Sequence, residues 1–124
     1  FTNRLLVLAA TPEKKLPAIF DVLGEWFAQE GFCGCAFINA AAEFSERDHP
    51  AHCIAVSHIQ KVSSLVLELS RSAGALDPDS LTTQLSLLIE GAIVLAYVKG
   101  EENCWKQAKS AAEVLMTAQG INPS

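Results

Sequence analysis

One stretch limits what this chain can fold into more than any other. From Leu85 to Val98 nearly every residue is apolar, all the way round a helical wheel, with Ser86, Glu90 and Tyr97 the only polar side chains and Gly91 in the middle. A helix on the surface of a globular protein shows one apolar stripe and turns a polar face to water; one that is apolar all round has to be covered on two sides. Asp77-Pro78-Asp79 opens this segment with an N-cap residue, a first-turn proline and a first-turn acid, and Gly100 closes it after Lys99. In a chain of 124 residues with few helices, its own neighbours cover one side. The other side needs a partner.

The remaining periods are helical too, and the expected fold is an all-α bundle of about five to six helices in a single domain over 1–124. Phe1 to Leu8 reads as the inside of a helix, so residues upstream of Phe1 are expected. Thr11-Pro12-Glu13 is a second N-cap, proline and acid, followed by Leu16, Ile19, Phe20, Leu23, Trp26 and Phe27 on one face. Pro17 is awkward in a helix that begins at Pro12, which favours a start nearer Leu16. Gly31 ends that helix, and Gly34 to Phe44, with Phe37, Ala41 and Phe44 at helical spacing, reads as a short one. Asp48-His49-Pro50 opens the longest period, where Ala55, Ile59, Val62, Val66, Leu69 and Ala73 step by four and three to a C-cap at Gly74.

The last helix, Glu101 to Gln119, carries a heptad-spaced seam of mostly small residues, Cys104, Ala108, Ala111, Leu115 and Ala118. Small side chains let helices approach closely. The last two helices therefore read as half of a four-helix bundle completed by a second copy across a two-fold axis. The expected interface residues are Leu87, Leu88, Glu90, Gly91, Val94, Leu95, Val98, Ala108, Ala111 and Leu115, with Glu90 paired across or beside the contact.

Composition excludes several classes. Half the residues are apolar and 19% charged, too apolar for a disordered chain. No uninterrupted apolar run reaches the roughly 18–20 residues of a membrane span, and there is no signal-peptide order at the N-terminus, so a cytoplasmic protein away from membranes is expected. The net charge of −5 argues against this segment holding duplex phosphates. The four cysteines are expected as free thiols, and Cys33 and Cys35 are too close in sequence for comfortable disulfide geometry.

An enzyme finds little support: there is no Gly-x-Ser-x-Gly, phosphate loop or His-Glu-x-x-His, and most carboxylates sit at helix ends. Glu90, alone among apolar neighbours, is the exception. Cys33, Cys35, His49, His52 and Cys53 are possible metal donors, with His49 and Cys53 four apart, but they lack the Cys spacing of a structural zinc site. No metal or cofactor is expected. A redox role for Cys33 or Cys35 would need a lowered thiol pKa, for which a helix start at Gly34 is the available cause.

Gly34-Cys35-Ala36-Phe37-Ile38-Asn39 and Leu87-Leu88-Ile89-Glu90-Gly91-Ala92 carry a family resemblance. The first resembles the Gly-Cys-x-x-x-Asn stretch, and the second the Leu-Leu-x-Glu-Gly run of the dimer helix, in the C-terminal domain of the TetR family of transcriptional regulators. Helix order is similar over essentially the whole chain. The family's DNA-binding head is absent here, and the resemblance assigns it to roughly 50–70 residues upstream. It implies a homodimeric sensor domain, in a repressor released from DNA by a small hydrophobic ligand bound between helices. The lining candidates are Phe20, Leu23, Phe27, Phe37, Ile59, Val62 and Val66, with Asn39, His58 and Gln84 to orient a polar group. The alternative is a helical interaction module without a small-molecule pocket.

Overall fold

In a computed structural model the chain is described over residues 9–32 and 50–122, apart from the side chains of Ala51, His52, Ile54 and Ala55. These residues form α1 (Pro12–Phe27), α2 (Pro50–Ser72), α3 (Pro78–Val98) and α4 (Cys104–Ala118), with no strand among them. The all-α expectation holds, with four described helices in place of five to six. The opening helix through Leu8 and the short helix over 34–44 lie outside the described residues.

Helix α1 begins at Pro12 rather than near Leu16. The Thr11 carbonyl accepts from the amides of Lys14 (3.1 Å) and Lys15 (2.8 Å), while its side chain makes no capping bond. Pro17 lies inside α1 and leaves the Glu13 carbonyl without its backbone amide donor. Helix α2 ends as the sequence predicts. Gly74 takes φ +84°, a left-handed value that a Cβ would strain, and the amides of Gly74 and Ala75 fold back onto the carbonyls of Arg71 (3.1 Å) and Ser70 (3.0 Å). Asp77 caps α3, its Oδ1 accepting from the Ser80 amide at 3.2 Å. Helix α4 starts at Cys104, three residues later than expected, because Gly100 at φ +69° turns the chain and residues 101–103 form the turn that follows.

Helices α1 and α3 each touch every other helix, and α2 and α4 lie on opposite flanks without touching one another. The largest buried side chains are Phe20, Leu16 and Ile19 of α1, Leu81 and Leu85 of α3, Met116 of α4 and Val66 of α2. Two contacts fix α4 on α1. Lys109 Nζ donates to both carboxylate oxygens of Asp21 at 3.0 Å. Next to them the Trp105 ring lies directly on Gly24, so close that a Cβ there would stand 2.5 Å from Trp105 Cε2. The far end is tied as well: Gln119 accepts from the Leu76 amide through its carbonyl (3.1 Å) and from the Asp77 amide through Oε1 (2.6 Å).

Helix α3 uses one face in this core, through Leu81, Leu85, Ile89, Ala92, Ile93 and Ala96. Its other face is apolar and exposed, with Leu87 at 69% and Val98 at 72% accessibility, and Val94, Leu95 and Tyr97 also open to solvent. By length and composition this helix is apolar enough to cross a membrane, which counting uninterrupted apolar runs does not reveal. A core helix passes the same test, and α3 packs on all three of the others.

Gly24→Ala decides how tightly α1 and α4 are joined. Helix propensity alone favours alanine by about 1 kcal/mol, whereas driving a methyl into a filled core costs about 1–3 kcal/mol. Chemical denaturation is expected to show a net loss of up to about 2 kcal/mol, turning favourable in a Trp105→Ala background, where the ring is gone.

Candidate functional site

The exposed face of α3 is the most distinctive surface among the described residues. Leu87, Gly91, Val94 and Val98 recur at steps of four and three, which sets them in one stripe, and Leu95 lies beside it. Gly91 sits in the middle, exposed, with nothing within 4 Å of where its Cβ would be. Leu88 and Leu115 are half-buried and pack on the chain's own core, so they border the stripe rather than form it. On α4 the seam divides. Ala108 faces inward with Ala112 and Met116, while Ala111 is exposed beside Val114, itself 68% accessible. Val114 is missing from the sequence-based set because alanines on several faces of α4, at 108, 111, 112 and 118, make its inner and outer sides look alike.

Of the lining candidates, Phe20, Leu23, Phe27 and Val66 are buried in the common core. His58, Ile59 and Val62 are half-buried on α2, and Gln84 is exposed on α3. Phe37 and Asn39 lie outside the described residues. The structure thus gathers the α1 and α2 phenylalanine and valine candidates into one core and leaves Gln84 apart from them. An aromatic cluster closes one end: Phe32 meets Trp26 edge-on (centroids 4.9 Å apart), Phe27 (5.2 Å) and Tyr97 of α3 (6.4 Å).

The polar groups of this region lie between α2 and α3. Ser63 Oγ and Ser86 Oγ are 3.4 Å apart. Further along the same pair, burial lifts the Glu90 carboxyl above its ordinary pKa, and the nearby His58 pulls it back in part. Two residues singled out for separate roles, His58 for ligand and Glu90 for the interface, are thereby electrostatic neighbours. Cys104 donates its thiol to the Ala92 carbonyl at 3.2 Å, and burial and the Glu101 charge push its pKa up, which makes it a packing group rather than a nucleophile. Among the described residues no three His, Cys, Asp or Glu side chains come together. Cys53 is exposed, and of the other metal-donor candidates Cys33, Cys35, His49 and the His52 side chain lie outside the described residues.

Comparison with known proteins agrees with this arrangement. The family model "tetracyclin repressor-like, C-terminal domain" matches residues 12–112, from the first residue of α1 into the middle of α4. The chain belongs to this family. The HTH-type transcriptional regulator YjdC of Escherichia coli K12 is 29% identical over 83 residues, which is 67% of this chain and 44% of that protein. The chain therefore spans less than half the length of this curated relative. The crystal structure of a TetR-family transcriptional regulator from Streptomyces coelicolor superposes with a TM-score of 0.84 at 23% identity, covering 94% of this chain and 62% of that one. A protein from Streptomyces avermitilis put forward as a TetR-type regulator gives 0.83 at 21% identity, with 92% and 62% covered. At these identities the two structures speak for the fold.

Within a TetR-type domain of this kind, Glu90 has a measurable signature. Its folded pKa lies above the unfolded value near 4.3, so its contribution is fully favourable below that pH and is lost as pH rises through the higher folded value. Thermal melts are expected to show Glu90→Gln matching the parent chain near pH 4 and exceeding it at pH 7.5. A gap that is the same at both pH values would contradict the assigned burial.

Proposed function

We propose that this chain, as one domain over 1–124, is the effector-sensing and dimerisation half of a TetR-type transcriptional regulator, a cytoplasmic repressor that leaves DNA when a small hydrophobic ligand binds. The observation that carries the reading is the apolar face of α3 left in solvent, with Leu87 and Val98 the most exposed of its residues. Water-exposed apolar stripes of this kind belong to contacts between chains. A second copy brought up across a two-fold axis would cover Leu87, Gly91, Val94, Leu95 and Val98 with the same residues, flanked by Ala111 and Val114. Gly91, with open space at its Cβ position, lets two backbones approach at the centre. The result is a four-helix bundle of α3 and α4 from each copy.

The sensing half of the proposal rests on the apolar interior. Phe20, Leu23, Phe27 and Val66, with Ile59 and Val62 at its margin, suit an apolar guest, and His58 offers one polar group. No catalysis, metal or cofactor is needed. The dimer presents two DNA-binding heads, carried outside this segment, to half-sites about one duplex turn apart. A ligand with higher affinity for another head spacing lowers DNA affinity by that difference in affinity. Acidic charge keeps the sensor half off the duplex. A helical adaptor would use the same α3 face for a different protein, and subunit counting separates the two readings.

Native mass spectrometry of the chain is expected to show about twice 13.3 kDa. A retained organic mass would identify the effector class. Gly91→Arg, at an exposed position whose Cβ would meet nothing within 4 Å, is expected to give a folded monomer by the same measurement with an unchanged helical circular dichroism spectrum. A monomeric parent chain, or a dimer that survives Gly91→Arg, would overturn the interface.

A further inference from the structure

Two hydroxyls stand apart from every other polar group among the described residues. Ser70 of α2 and Thr82 of α3 are the buried polar side chains, at 0% and 8% accessibility, and neither Oγ nor Oγ1 has a hydrogen-bond partner. Hydroxyls in helices commonly satisfy themselves on the carbonyl four residues back. Thr83 and Thr117 do so, on Asp79 (3.2 Å) and Glu113 (2.9 Å). Thr82 and Ser70 do not. A buried hydroxyl left unpaired costs about 1–3 kcal/mol, so two of them in one small core call for a shared partner.

Their placement says what that partner is. The Ser63 and Ser86 contact at 3.4 Å fixes the register of the antiparallel α2 and α3 pair. Ser70 lies two turns beyond Ser63 and Thr82 one turn before Ser86, both toward the connecting turn and both on nearly the same faces that meet at the serine pair. By helix rise they are offset along the pair by roughly 4.5 Å. That is too far for a direct hydrogen bond. Along the axis that offset is less than the roughly 5.5 Å that one intervening oxygen spans with two bonds of about 2.8 Å, which leaves room for the separation across the pair. No charged side chain is buried near them, and their neighbours along the helices are Val66, Leu69, Leu81 and Leu85. An ion there would have no counter-charge.

We infer that Ser70 and Thr82 form a binding site for one neutral hydrogen-bonding oxygen, between α2 and α3 near their connecting turn. The oxygen is either that of a trapped water or the hydroxyl or carbonyl end of the apolar effector. The second source rests on the sensing role proposed above, and the first does not. Either one leaves both hydroxyls paired and gives an apolar interior a single polar recognition point.

A crystal structure of the chain at a resolution that shows single waters, together with thermal melts of Thr82→Val, Ser70→Ala and the double variant, tests this. The expected density is one oxygen within hydrogen-bond reach of both hydroxyls. An isolated peak identifies water; density continuous with an organic molecule, matched by added mass in native mass spectrometry, identifies the effector. Thr82→Val is expected to lower the melting midpoint by roughly 3–6 °C, and Ser70→Ala to add little to it, since both hydroxyls hold the same group. An empty site, or a Thr82→Val chain that melts at or above the parent temperature, would overturn the inference. Failure of the sensing role alone would show as a water peak with no organic mass.

Discussion

The apolar circumference of α3 is the constraint from which the rest follows. A helix without a polar face needs cover all round, and α1, α2 and α4 reach α3 from one side only. Leu81, Leu85, Ile89, Ala92, Ile93 and Ala96 use up that cover. The small residues matter as much as the large: Ala92 and Ala96 let the thiol of Cys104 come close enough to bond the Ala92 carbonyl, which holds the start of α4 against α3. Packing of α4 on α1 is set in the same way by an absence of bulk, at Gly24 beneath the Trp105 ring. The four helices are held together by close approach, and one surface of α3 is left without cover.

Much of this could be read from the residues. The Asp77-Pro78 cap, the Gly74 stop and the stripe on α1 are local signals, and local signals survive in the folded chain because they concern hydrogen bonds within a few residues of themselves. The uncovered side of α3 was legible for a different reason: an apolar count that exceeds what four helices bury is a statement about total area. What the sequence does not reveal is direction. The alanines of α4 fit either face, so Ala108 reads as outward when it points inward, and Val114 passes unnoticed. Nor does spacing show that His58 and Glu90, thirty-two positions apart, lie close enough for their charges to interact. Pro17 shows the converse limit, since a proline that reads as a helix start lies inside α1.

The polar groups of the domain follow the same geography. Among the described residues, the ion pairs Asp21–Lys109 and Lys99–Glu101 sit at half-exposed and exposed positions, where screening keeps them weak. Between α2 and α3 lie instead serines at 63 and 86, a half-buried carboxyl whose burial favours its protonated form, and two unpaired hydroxyls. Such an interior discriminates by shape and by the placement of single hydrogen bonds. In the proposed sensing role, that would favour an uncharged guest over an ion.

The bonds from Gln119 to Leu76 and Asp77 give the end of the chain a duty of its own. Gly120 turns the backbone at φ +80°, and Ile121 tucks in behind it, 3% exposed. The last described residues thus act as a buckle, fastening the strap of α4 to the bend of the hairpin. Loosening it would hand two amides of that exposed bend to water and uncover an isoleucine. The residues after α4 are a closure that the domain needs, and trimming them would open it at the seam.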